Sequence, residues 1–453
     1  MAEKTVAAIS TPLGEGGIGV IRISGTDAID VADRVFKSVS GKKLSSLGGY
    51  SALFGHVFDD EKMIDEAVAT VFLAPKSYTG EDVCEISCHG GKYVLNAVLR
   101  AVLNNGAAMA PAGEFTKRAF LNGKLSLNEA ESVMGLISAK GEEELKLQLA
   151  AKNGRTSREI EEIEGLLLEL SANFAAYSDY PDEDLSELSP ENFIRLCNEA
   201  GERLEKLLST YDSGRVLREG VKTAIVGKPN VGKSSLMNLL SGESRSIVTE
   251  VAGTTRDIIE NTVKCGEIIL TLADTAGIRN TEDKIESMGV SLAKEKLASA
   301  QLVLAVFDVS APLEDDDREV LSLLDVRNTV IILNKSDKTK VLDKEEFKGF
   351  KVVLVSAKEK TGEEELKAAV NEITGLSRLD PDSAILLSER QRDLVQKAYS
   401  NLLEAKNLIL SGHTIDAVSV CVDDALSELY TLDGRRVTNE VADEVFRRFC
   451  VGK

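Results

Sequence analysis

"KTAIVGKPNVGKSSLMNLLSG", residues 222–242, decides the fold. An apolar strand-like run, "KTAIVG", leads into a glycine-rich loop, and "SLMNLLSG" then opens an amphipathic helix. Residues 227–234 fit G-x-x-x-x-G-K-[ST] in the strand–loop–helix setting that this motif needs. Loop N–H groups and a helix N-terminus together cradle phosphate oxygens. Asn230, Val231, Gly232, Lys233, Ser234 and Ser235 therefore form the expected phosphate site. Lys233 neutralises β/γ-phosphate charge, and the Ser234 hydroxyl can bind Mg²⁺.

Three further elements follow in order. Asp274, Thr275, Ala276 and Gly277 give D-x-x-G at a strand end; "NKSD" (Asn334, Lys335, Ser336, Asp337) follows "TVIIL"; "SAK" (Ser356, Ala357, Lys358) follows "KVVLV". Asp337 can accept two hydrogen bonds from the guanine N1–H and N2 amine, a pattern adenine lacks, and the last element backs up the base. Ligands of open α/β sheets bind at the C-terminal ends of strands. The ordered series points to GTP rather than ATP. One position breaks the Ras pattern: Ile278 follows Gly277, where a glutamine would orient the attacking water.

Around this unit, 453 residues imply two to four domains. Strands alternating with helices over 218–377 read as a doubly wound parallel sheet. Residues 1–120 read as mixed α/β, with "TVAAIS", "GIGVIRIS", "EAVATVFLA" and "EDVCEISC" as strands and a helix from 92 ending at Gly106. Residues 121–217 and 378–453 are helical, and "SLNEAE" opens one helix with a Ser-x-x-Glu signature. The central unit thus reads as an insertion between helical segments that pack as one bundle.

Composition narrows the class. No apolar run is long enough to span a bilayer, and the first residues lack the regions of a signal peptide. Six cysteines without C-x-x-C pairing fit a reduced, cytoplasmic protein with no disulfide framework. A net charge of −20 argues against a broad, non-specific grip on nucleic acid, though not against a local patch or an RNA held mainly by a partner.

Beyond the nucleotide motifs, "TPLGEGGIGVIRISG", "YTGEDVCEISCHGG", "GEFTKRAFLNGKLSLNEAE", "TEVAGTTRD" and the tail "FCVGK" carry a resemblance over the whole chain to the bacterial tRNA modification GTPase MnmE (TrmE) family. The tail departs from the usual pattern only at Val451, where the family usually has isoleucine. The resemblance implies an α/β + α fold. A Ras-like doubly wound G domain sits inside a helical bundle domain, preceded by an N-terminal α/β domain that binds folate and dimerises. It also implies a homodimer, a heterotetramer with the FAD-dependent protein MnmG (GidA), tRNA as substrate, no membrane, and 5-formyl- or methylene-tetrahydrofolate as one-carbon donor.

By resemblance, K⁺ would be held by Asn230 and by Thr249, Val251 and Thr254 in the GTP-binding loop formed by Thr249, Glu250, Val251, Ala252, Gly253, Thr254 and Thr255. Thr255 would complete the Mg²⁺ shell beside Ser234. Glu286 would replace the missing glutamine through a bridging water; by sequence alone, Glu282 and Asp283 compete with it. Arg22, Glu81, Lys124 and Lys453 match folate positions, and Cys450 would act beside the folate as nucleophile or proton donor. "CVGK" does not suit a prenylation box. Two other classes share parts of this pattern. One is a regulatory GTPase of ribosome assembly, which usually appends a basic module absent here. The other is a folate-dependent one-carbon transferase with a regulatory G domain.

Overall fold

The computed structural model describes residues 4–179, 189–241, 262–266, 268–272, 297, 300–376, 380, 383–447 and 449–452. Thr249, Glu250, Val251, Ala252, Gly253, Thr254, Thr255, Asp274, Thr275, Ala276, Gly277, Ile278, Glu282, Asp283, Glu286 and Lys453 lie outside these residues. The chain divides into two compact units. One comprises Met1–Ser138, Ala151–Leu204 and Asp393–Lys453, and the other Ala139–Ala150 and Glu205–Arg392.

In the first unit a seven-stranded sheet holds β1 (Val6–Ile9), β2 (Gly16–Ser24), β3 (Phe36–Ser38), β4 (Ser51–Asp59), β5 (Lys62–Phe72), β6 (Val83–Gly90) and β7 (Ala108–Met109), in the order β3-β4-β5-β6-β2-β1-β7. The alternation expected of half-buried strands sends Ile21, Ile23, Cys84, Ile86 and Cys88 into a core shared with α1 (Ala28–Val35) and α2 (Lys92–Asn104). Helix α2 ends as the sequence suggests: Gly106 sits at φ 115° and returns its N–H to the Leu103 carbonyl. The opposite face carries Val6, Ala8 and Arg22, and Phe115 of α3 (Glu114–Leu121) packs with Val6 and Ala8.

The helices α4 (Leu127–Ser138), α5 (Glu142–Lys152), α6 (Arg155–Asp179) and α7 (Pro190–Glu219) follow. Ser126 and Glu129 form the reciprocal capping pair at the start of α4: the Ser126 N–H donates to Glu129 Oε2 (2.8 Å), and the Glu129 N–H donates to Ser126 Oγ (3.2 Å). After the central unit, which holds three α-helices among the described residues, come α11 (Glu389–Leu410), α12 (Ile415–Asp433) and α13 (Asn439–Arg447). Leu127 and Ala130 of α4 share a core with Ala442, Phe446 and Phe449, so helical segments from both sides of the insertion pack together. Gly434 ends α12 at φ 96°; a Cβ there would come within 2.6 Å of the Phe120 ring.

The second unit holds a six-stranded sheet of β8 (Val221–Val226), β9 (Thr262–Cys265), β10 (Ile268–Leu272), β11 (Leu302–Asp308), β12 (Thr329–Asn334) and β13 (Lys351–Leu354). Its order is β13-β12-β11-β8-β10-β9, all parallel except the β9 edge. Its helices include α8 (Lys233–Ser241), α9 (Asp315–Ser322) and α10 (Glu363–Ile373). Leu302, Leu304 and Val306 face one core, and Val303, Ala305 and Phe307 face the other, as a doubly wound sheet requires. The strand order reverses at β8, whose neighbours are β10 and β11, so the ligand crevice opens beyond the C-terminal end of β8.

Candidate nucleotide and N-terminal sites

The loop leaving β8 is shaped by close approach. Gly227 sits at φ 140°, where a Cβ would lie 2.3 Å from the Val306 carbonyl oxygen. Gly232 sits at φ 101°, where a Cβ would strike Asn334 Nδ2. Only glycine meets both demands. Asn230 takes φ 65°, a left-handed conformation that asparagine tolerates, and it is exposed at the loop's apex. Ser234 and Ser235 are exposed in the first turn of α8, and Val231 is buried beneath the loop.

Lys233 is half-buried, and its Nζ donates to the carbonyls of Gly227 (2.7 Å) and Lys228 (2.6 Å). Burial lowers its pKa, because an ammonium withdrawn from water loses hydration. Phosphate oxygens would return that stabilisation. The exposed hydroxyl of Ser234 at a helix start suits Mg²⁺, a hard cation that prefers oxygen ligands. Of the potassium ligands expected from the resemblance, only Asn230 lies among the described residues.

The base-reading loops are joined to the phosphate loop through Asn334. Its Nδ2 donates to the Val231 carbonyl (2.8 Å), and its Oδ1 accepts from the Ala357 N–H (3.1 Å). The residue is buried. Lys335 adopts φ 63° and pairs with Asp308 at 2.6 Å. Burial alone would raise the Asp308 carboxyl; hydrogen bonds from Lys335 and Ser310 more than offset this and hold it at about 2. Ser356 Oγ donates to Asp337 Oδ1 at 2.6 Å and lowers that carboxyl's pKa. Asp337 thus stays ionised, with acceptor capacity toward solvent. Lys358 is exposed beside Glu359.

Of the expected folate positions, Arg22 lies on β2, Glu81 in the loop before β6 and Lys124 just after α3. The Arg22 guanidinium pairs with Glu85 (2.8 Å) and lies over the rings of Tyr78 (5.2 Å) and Phe115 (5.5 Å). Its Nη1 is buried without a hydrogen-bond partner. Such an orphaned donor beside two rings fits a ligand that combines a planar aromatic system with acceptor oxygens. Glu81 is held from within: Arg118 Nη1 reaches both its oxygens (3.2 and 3.0 Å), and Ser24 Oγ donates to Oε2 (2.7 Å). Arg118 also grips Glu114 and the Lys4 carbonyl. No motif in the sequence marks Arg118; its four-residue spacing from Glu114 is the one local signal. Lys124 Nζ donates to the Pro75 carbonyl (3.0 Å).

The tail returns to the same domain. The Gly113 N–H meets the Cys450 carbonyl (3.4 Å), and Ser10 Oγ donates to the Gly452 carbonyl (3.0 Å). A Cβ on Gly452, at φ 92°, would lie 2.3 Å from the Ile9 carbonyl oxygen. Cys450 is exposed, two residues before the Gly452 carbonyl that meets Ser10.

The sheet order, the phosphate loop and the loops at the ends of β12 and β13 define a P-loop protein of the GTPase class. Residues 5–124 match the family model described as "GTP-binding protein TrmE N-terminus", and residues 127–450 match that of the "MnmE helical domain". The chain is 40% identical to the "tRNA modification GTPase MnmE" of Carboxydothermus hydrogenoformans, covering 100% of both chains. It is 38% identical to the protein of that name in Clostridioides difficile, over 100% of this chain and 99% of the other. The one in Lactococcus lactis subsp. cremoris is 40% identical, over 99% and 98%. The chain belongs to the MnmE family of tRNA modification GTPases.

Replacing Asp337 by Asn should weaken GTP binding and favour xanthosine triphosphate, because paired acceptors become one acceptor and one donor. Competition binding of the two nucleotides reads this directly. An unchanged preference would remove "NKSD" from base reading.

Proposed function

We propose that this protein is a K⁺-stimulated GTPase that works with the flavin protein MnmG (GidA). Together they add a carboxymethylaminomethyl or aminomethyl group at C5 of the wobble uridine of certain tRNAs, with a folate as one-carbon donor. The observation that carries this reading is the full-length family match joined to the phosphate loop and the Asn334, Asp337 and Ser356 loops at the ends of the strands. Residues 218–377 bind and hydrolyse GTP, 121–217 and 378–453 form the helical domain, and 1–120 take the folate and form the homodimer. Among the described residues, no helix is long and apolar enough to cross a membrane.

Each assigned residue has a physical task. Lys233 leaves its two carbonyl partners for the phosphates, and Asp337, backed by Ser356, reads the guanine edge. Ser234 and Thr255 would hold Mg²⁺, and Asn230 with Thr249, Val251 and Thr254 would hold K⁺. These ions supply positive charge that meets the negative charge developing during phosphoryl transfer. Glu286 orients the attacking water in place of Ile278. Arg22 offers its orphaned Nη1 to a folate oxygen, and Glu81, Lys124, Lys453 and Cys450 would take part in the same site.

Nucleoside analysis of tRNA tests the function as a whole. Cells lacking this protein should lose the C5-substituted wobble uridine and regain it on complementation; an unchanged nucleoside profile would refute the proposal. The ion requirement is read separately. GTP turnover should be faster in K⁺ than in Na⁺ at matched ionic strength, and Asn230→Ala should abolish the difference while nucleotide binding persists. Equal rates in the two salts would refute the potassium site.

A further inference from the structure

Lys228, the second residue of the phosphate loop, is tied to a helix far away in sequence. Its Nζ lies 2.6 Å from Asp317 Oδ2 and 2.6 Å from Glu314 Oε2, at the start of α9. Asp317 is nearly fully buried, whereas the Glu314 side chain is 72% exposed. The same Asp317 oxygen accepts the Glu314 N–H at 3.0 Å, so the helix start and the lysine share one acceptor. Lys228 also offers its carbonyl to Lys233 Nζ at 2.6 Å. One residue therefore joins α9, through its side chain, to the phosphate-binding lysine, through its main chain. Lys228 and Asp317 line one small hollow together with the apolar groups Val231, Phe307, Leu313 and Leu342.

We propose that Lys228 is a positioning residue for GTP: its ion pair with Asp317 and Glu314 clamps the first half of the phosphate loop in its binding shape. The clamp acts through backbone order. A loop held in the bound conformation before the nucleotide arrives loses less conformational entropy on binding. Asp317 does more of this than Glu314, because a buried, shared carboxylate is screened less by water than an exposed one. The proposal rests on the nucleotide site and is independent of the potassium and folate readings.

A simpler role for Lys228 makes the opposite forecast. Were its charge attracting phosphates directly, the two carboxylates would be quenching it, and neutralising Asp317 would tighten nucleotide binding. The clamp requires that neutralising Asp317 weaken binding.

The test uses the full-length protein with Mg²⁺ and fluorescent mant-GDP as the probe, with GTP turnover measured in parallel. Lys228→Met should weaken mant-GDP about tenfold, the size of a lost charge-assisted hydrogen bond. KM for GTP should rise by more than kcat falls. Asp317→Asn keeps an acceptor for the Glu314 N–H and should weaken binding about fivefold. The double variant should bind no worse than Lys228→Met alone, and Lys228→Arg should restore affinity to within about threefold, since it keeps the charge. If Asp317→Asn does not fold, Glu314→Gln on the exposed arm reports the same link with a smaller loss in the same direction. Unchanged affinity in Lys228→Met, tighter binding in the carboxylate variants, or additive losses in the double variant would each overturn the clamp.

Discussion

The nucleotide site depends on one buried side-chain amide. Asn334 ends a wholly buried strand and places its Nδ2 against the carbonyl of Val231 and its Oδ1 against the N–H of Ala357. Three loops leave three different strands; the ladder fixes the strand ends, but β8 and β12 are not neighbours, so it makes no direct bond between the phosphate loop and the loop at the end of β12. A donor and an acceptor on one rigid planar group make that link, at fixed separation and with no water between. The close fit at Gly232 follows: a Cβ there would come within 2.1 Å of Asn334 Nδ2, so the glycine of the phosphate motif is needed for packing as much as for its φ. Leaving either backbone group unpaired in this buried place would cost about 1–3 kcal/mol.

A second constraint closes the first unit. The tail leaves α13 and passes Gly113 and then Ile9 and Ser10, with Gly452 pressed against backbone. It meets the sheet beside β1, whose Ala8 is in register with Arg22 of β2. The Arg22 guanidinium is anchored by Glu85 and by two rings, yet keeps one donor unsatisfied. Arg118, buried among Glu81, Glu114 and the Lys4 carbonyl, holds the loop before β6 against α3. Removing that arginine would strand two carboxylates, so its effect on the site is structural support rather than ligand contact.

What could be read beforehand follows from the range of each interaction. The phosphate loop, "NKSD" and "SAK" were legible because each is a local motif whose chemistry sits within a few residues at a strand end. The Ser126–Glu129 cap and the Gly106 helix end were legible for the same reason. Pairing at long range was not. Lys228 and Asp317 stand 89 positions apart, and neither belongs to a periodic pattern that could nominate the other. Arg118 reads as one more surface charge until the fold brings Glu81 to it. Asn334 reads from the sequence as part of the base-reading loop, while its bond to Val231 follows only from the sheet order. The residues expected to orient the attacking water and to complete the Mg²⁺ shell, Glu286 and Thr255, lie outside the described residues and rest on the family resemblance.

The central claim is that a single buried amide organises the nucleotide site, and Asn334→Ala tests it most directly. The two measurements are GDP and GTP affinity by calorimetry and global stability by denaturant unfolding of the same sample. Losing both bonds should weaken both nucleotides at least about tenfold, with the protein still folded. Affinities within twofold of the parent protein in a folded variant would contradict the account.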